Sequence, residues 1–144
     1  MEVQLARRWQ IGDELGHGGF GVVRRVQDEA GSEYAAKFIP KAPGGNRELL
    51  FVDLGPAKNV VPIVESGETD DSFVIVMPLA ERSLRQLLTD GGGRIDVETT
   101  IAVLRDVATA LDDLGGRVVH RDVKPENILL LDGHWCLGAW VTNR

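Results

Sequence analysis

A single cysteine, Cys136, is the whole thiol content of this 144-residue sequence, so no intramolecular disulfide can brace it. Flanked by apolar residues, Cys136 reads as a small packed side chain and not as a nucleophile. No segment approaches the roughly 20 consecutive apolar residues of a membrane span, and the opening MEVQLARRWQ lacks an apolar core of signal-peptide length. Positive charge is in deficit. The 16 Lys and Arg against 22 Asp and Glu give a formal net charge of -6 and a pI near 5.0, which argues against a nucleic-acid-binding surface. There are no internal repeats. These absences lead us to expect a soluble cytoplasmic chain, long enough for one ordinary domain.

What is present is a series of motifs in a fixed order. Residues 120 to 127 read HRDVKPEN and run into the apolar stretch ILLL. Far upstream, GHGGFGVV carries Gly16, Gly18 and Gly21 in a GxGxxG spacing, where missing side chains let backbone amides approach a phosphate closely. With 17 glycines in the chain that spacing alone is weak. A dinucleotide-binding turn would need a helix straight after the glycines, yet the chain continues as the strand-like VVRRV. Sixteen residues beyond Gly21 comes Lys37, inside the apolar YAAKFI. Strand-like VVPIVESGE and FVIVMP follow, then a short helix with Leu84, Leu87 and Leu88 behind Ser83 as its cap. TDGGGRID connects to a helix from Thr99, whose stripe Ile101, Leu104, Val107, Ala108, Leu111 and Leu114 reads as core packing until Gly115 and Gly116 stop it. A hairpin is expected over residues 130 to 137, turning at Asp132 and Gly133.

In this order the motifs resemble the eukaryotic-type serine/threonine protein kinases, over about residues 9 to 144. The resemblance implies an α+β, protein-kinase-like fold: an antiparallel-sheet N-lobe with a short helix, plus the first part of a helical C-lobe. It divides the chain into a flank at 1–8, an N-lobe and hinge at 9–80, and a partial C-lobe at 81–144 that ends just after the DFG position.

The resemblance also assigns roles. Asp122 takes or orients the substrate hydroxyl proton, Lys124 steadies the transferring phosphoryl group, and Asn127 holds magnesium. Gly16, Gly18, Gly21, Val23, Ala35, Met77, Ala80 and Leu129 would line the ATP site, with Phe20 capping the glycine loop, Met77 as gatekeeper and the Ala80 amide as a hinge donor. Lys37 contacts the α and β phosphates, and Glu48 is the candidate to hold it. The spacing from Lys37 to Glu48 is shorter than the family's, and PGG at 43 to 45 stands where its regulatory helix begins.

The sequence departs from the family at one position that matters chemically. The register puts Ala139, Trp140 and Val141 where the family has DFG, so the Asp that chelates the phosphate-bridging magnesium is replaced by a side chain without oxygen. The activation segment and substrate platform fall beyond the residues in hand, which predicts an exposed apolar face on the helix at 99 to 114. Two readings stand open: an ATP- and Mg2+-using protein kinase with impaired transfer, and a non-catalytic pseudokinase module completed by a protein partner or by self-association. A small-molecule phosphotransferase is disfavoured because Lys124, Pro125 and Glu126 match the protein-kinase form of the loop.

Overall fold

The computed structural model describes residues 1–18, 21–41, 57–115 and 123–138. The chain divides into two compact units, Met1–Asn46 with Ile63–Leu79, and Arg47–Pro62 with Ala80–Arg144.

The first unit is an antiparallel sheet of β1 (Glu2–Gln4), β2 (Arg8–Gly18), β3 (Gly21–Gln27), β4 (Glu33–Pro40), β5 (Glu65–Glu68) and β6 (Ser72–Pro78), in the order β1-β2-β3-β4-β6-β5. Its β3–β4 turn is tied by Asp28, whose Oδ1 accepts the Ala30 and Ser32 amides at 3.0 and 2.8 Å. Period-2 alternation then sorts the side chains. Val26, Ala36, Val74 and Val76 fill a core on one face with Trp9 and Val3, while Val23, Ala35, Lys37, Ile75 and Met77 belong to the other.

Residues 1–8, expected as a flank, contribute to this core. Glu2–Gln4 pairs with β2 through Val3↔Trp9, and Val3 is buried. The physical reason is that Val3 and Leu5 offer apolar cover to a sheet face otherwise open to water, Leu5 closing over Gly67 where a Cβ would sit 2.9 Å from its Cδ2. Glu65 completes the closure. Its Oε2 accepts the indole N–H of fully buried Trp9 at 2.7 Å, and its Oε1 accepts the Arg7 amide at 3.2 Å. The Arg7 guanidinium lies over the Trp9 ring at 4.7 Å, and Tyr34 meets that ring edge-on at 5.3 Å. Since β2 and β5 are not neighbours in the sheet, this cluster joins its two ends across the curl.

The second unit holds β7 (Arg82–Ser83), α1 (Leu84–Asp90), α2 (Val97–Leu114), a 3-10 turn Pro125–Asn127, β8 (Ile128–Leu131) and β9 (His134–Leu137), its sheet ordered β7-β8-β9. Ser83 caps α1 as expected and does so reciprocally: its Oγ accepts the Gln86 amide at 3.1 Å while Gln86 Oε1 accepts the Ser83 amide at 2.9 Å. The α2 helix starts two residues earlier than Thr99, because Asp96 is its cap and accepts the Thr99 amide at 2.7 Å. It ends at Leu114, before Gly115 at φ 55°. Asp132 and Gly133 form the β8–β9 turn, both at positive φ.

The apolar stripe of α2 requires a correction. Val107 and Leu114 are buried with Val103 and Ala110 against Ile128, Trp135 and Leu137. Ile101, Leu104 and Leu111, read above as core, are 54%, 65% and 41% exposed. The helix is apolar on two sides, and the β8–β9 hairpin covers one of them. Among the described residues no helix is long and apolar enough to cross a membrane.

Glu65→Ala should lower stability by roughly 2 kcal/mol, since it leaves the buried indole N–H of Trp9 without an acceptor, whereas Glu65→Gln should retain part of that loss. Urea unfolding followed by Trp fluorescence measures both variants; equal midpoints for Ala and wild type would show that the closure is not stabilising.

Candidate functional site

Register decides which side chains meet in the first unit. Lys37 in β4 lies opposite Val23 of β3 and Ile75 of β6, and Ala35 lies opposite Met77. Directly paired residues of antiparallel strands project to the same face, so Val23, Ala35, Lys37 and Met77 form one patch as the motifs require. Gly16 extends it, being paired with Val23 on the β2 side. Ala35 and Met77 are 5% and 2% exposed, and the Lys37 ammonium is on a residue only 8% exposed. A lysine buried on a sheet face is uncommon and is found where its charge has a use.

The two ends of the glycine loop differ in what their glycines do. Gly18 and Gly21 pair to close the β2–β3 hairpin. Gly21 stands at φ 139°, and a Cβ there would lie 2.2 Å from the Phe38 carbonyl oxygen, so only glycine fits. Gly16 meets nothing within 4 Å of such a Cβ. Among the described residues, nothing inside the protein would oppose a side chain there.

Past β6, Pro78 carries no amide hydrogen and the Glu81 amide is committed to the Leu130 carbonyl at 3.0 Å. Leu79 and Ala80 are the donors left in that stretch. In the second unit the 3-10 turn buries Asn127 to 8% exposure. Its amide donates to the Lys124 carbonyl at 2.9 Å, and its own carbonyl accepts the Gly138 amide at 2.8 Å. That second bond fixes the end of β9 beside the Asn127 turn. Leu129 pairs with Cys136 in the hairpin. Burial pushes the Cys136 thiol up from its ordinary pKa, with smaller contributions from the Asp106 and Asp132 carboxylates, so it is a poor thiolate at neutral pH. Asp122, Glu48, Phe20, Ala139, Trp140 and Val141 lie outside the described residues.

One residue that sequence reasoning passed over holds this unit together. Asp106 projects from the core side of α2 at 8% exposure and accepts the Trp135 amide at 3.0 Å, with His134 Nδ1 at 3.7 Å. Its backbone carbonyl accepts the Asn59 side-chain amide at 3.2 Å. Asn59, at φ 54°, in turn accepts the Leu137 amide at 2.7 Å through its carbonyl, and Val61 donates to the Leu137 carbonyl at 2.9 Å. The signal was an acid set among Val103, Val107 and Ala110 at helical spacing, where a charge needs a partner.

Comparison with known proteins agrees with this arrangement. The protein kinase domain model matches residues 9–138. Serine/threonine-protein kinase 36 of Mus musculus is 33% identical over 135 residues, covering 88% of this chain and 10% of the relative. A calcium/calmodulin-dependent protein kinase of Metarhizium anisopliae is 32% identical over 129 residues, covering 85% and 34% respectively. The probable serine/threonine-protein kinase zyg-1 of Caenorhabditis elegans is 34% identical over 124 residues, covering 83% and 18%. The chain belongs to the protein kinase domain family, of the eukaryotic serine/threonine type, and spans only a minor part of each of these relatives' length. That family works with ATP and magnesium on protein substrates.

Substitution at the two glycines should separate structure from binding. Gly21→Ala is expected to cost about 2 kcal/mol or more of stability because its φ and its clash cannot both be relieved. Gly16→Ala should leave the melting temperature within a degree or two. Thermal melts of the two variants without ligand check this, and an equal loss in both would refute the assignment.

Proposed function

We propose that this chain is an ATP-binding serine/threonine protein kinase homologue whose phosphoryl transfer is impaired. The observation that carries the reading is the buried Lys37 on one sheet face with Val23, Ala35 and Met77, apolar where a base would rest and cationic where phosphates would lie. In the reading, Gly16, Gly18 and Gly21 supply close backbone, the Ala80 amide and Leu129 serve the base, and Glu48 holds Lys37. Asp122 orients the acceptor hydroxyl, Lys124 stabilises the moving phosphoryl charge, and Asn127 is a magnesium ligand.

The donor set fits the nucleotide better than the metal. Among the described residues no cluster of three or more His, Cys, Asp or Glu stands ready for a cation, and Ala139 brings no oxygen to the DFG Asp position. Magnesium, when bound, neutralises charge developing between the β and γ phosphates. Losing one of its ligands plausibly raises the barrier by several kcal/mol, each ~1.4 kcal/mol being tenfold in rate. This favours the second reading, a pseudokinase that binds nucleotide or a completing protein partner in the cytoplasm, with self-association as a further mode.

The test is thermal unfolding with ATP, with and without magnesium, for wild type and Lys37→Met. ATP at 100 times its dissociation constant should add about 2.7 kcal/mol of stability to wild type, and the Met variant should need at least about tenfold more ATP for the same shift. No response to ATP in wild type would sink the nucleotide-binding reading. Phosphate transfer to a generic Ser/Thr substrate that disappears in Asp122→Asn would favour the kinase; absence of transfer in wild type favours the pseudokinase.

A further inference from the structure

Between the Ile11–Val26 pair and the Gly16–Val23 pair, β2 spends two residues more than β3 does. The surplus falls in two register shifts, one between Ile11 and Glu14 and one between Glu14 and Gly16. In the first, Gly12 and Asp13 together face Arg25, which makes it a bulge. Gly12 lies close against β3 there: a Cβ on it would come 3.3 Å from the Arg25 carbonyl oxygen.

A bulge leaves backbone groups outside the ladder, and side chains of β3 take them up. Arg24 donates its Nε and Nη2 hydrogens to the Gly12 carbonyl oxygen at 3.0 and 2.8 Å. Arg25 donates Nε–H to Asp13 Oδ1 at 3.1 Å and Nη1–H to Glu33 Oε2 at 2.8 Å. Successive residues of a strand point to opposite faces, so the two arginines hold the bulge from both sides. An ion pair to a carboxylate as exposed as that of Asp13 contributes little, which leaves Arg24 as the stronger hold.

What the bulge decides is which residue meets Val23. With the second shift kept and the first removed, the glycine segment moves one step, and Leu15 in place of Gly16 stands opposite Val23. A leucine side chain would then enter the face of Val23 and Lys37, where the nucleotide reading needs bare backbone.

We propose that Arg24 is a positioning residue for the nucleotide: by holding the bulge at Gly12 and Asp13 it sets the register that brings Gly16 opposite Val23. It acts at a distance from the ligand, since it shares the face of Val26 and Ala36 while Val23 and Lys37 belong to the other. The inference rests on the nucleotide-binding reading and adds to it the residue that fixes the loop.

Two measurements on the full chain test it: cross-strand nuclear Overhauser contacts without nucleotide, and ATP affinity by calorimetry. Wild type should show the Gly16–Val23 contact. Arg24→Met should replace it with Leu15–Val23 and weaken ATP at least about tenfold. Contacts of Val23 with Lys37 and of Ala35 with Met77 should persist in that variant and serve as the folding control. Deleting Gly12 as well removes a surplus residue, so no clamp is needed; the double variant should regain Gly16–Val23 and bind ATP within about threefold of wild type. General damage to the sheet would not be repaired in that way. An intact Gly16–Val23 contact in Arg24→Met would overturn the clamp, and a displaced register with wild-type ATP affinity would overturn the positioning role, as would a deletion that restores neither. Wild type that fails to bind ATP sinks the nucleotide reading and the positioning role with it, while the contact pattern still reports whether Arg24 sets the register.

Discussion

A strand buried on both faces cannot slip by one residue without driving a charge into a core, and β4 is such a strand. Ala35, Ala36 and Lys37 are consecutive and all buried, with Ala36 toward Trp9, Val26 and Val76 and its two neighbours toward the opposite face. One step of slip would put the Lys37 ammonium into the apolar cluster, at a cost of several kcal/mol. This constraint propagates outward through pairing. Once Lys37 is opposite Val23 and Ile75, Ala35 must be opposite Met77, so most of the candidate patch follows from one strand's register, while Gly16 reaches Val23 only through two register shifts in the β2–β3 pairing. The closure by Val3, Trp9 and Glu65 matters for the same reason: it keeps the core face dry and makes the register worth defending.

The second unit depends on a comparable pin. Three separate bonds converge on β9 and its exit: Asp106 takes the Trp135 amide, Asn59 takes that of Leu137, and Asn127 takes that of Gly138. The strand leading to Ala139 is therefore held on both sides, by α2 and by the 3-10 turn that carries Asn127. The same α2 that pins β9 with its core side turns a second apolar side outward.

How much was legible in the sequence followed the range of the forces involved. Strand pairs, the Ser83 cap, the glycine stop of α2 and the turn at Asp132 and Gly133 are local, each governed by residues within a few positions, and all were readable. So was the motif order, because HRDVKPEN, the glycine loop and Lys37 carry chemistry in their own residue types. The role of residues 1–8 was not, since the value of Val3 and Leu5 appears only when Gly67 and Glu65 arrive from more than fifty residues away. An exposed apolar face on the helix at 99 to 114 was expected, but not which residues would form it: helical periodicity reports which residues share a side, and says nothing of which side finds a neighbour.

The sequence by itself determined the family, the local elements, and the absence of an Asp at position 139, because each is a matter of residue identity and short-range geometry. Only the tertiary structure decided that Gly21 is irreplaceable, that Asp106 is a structural anchor, and which residues of α2 stay exposed. These depend on which distant atoms come within a few ångströms, and spacing along a chain does not encode distance across it.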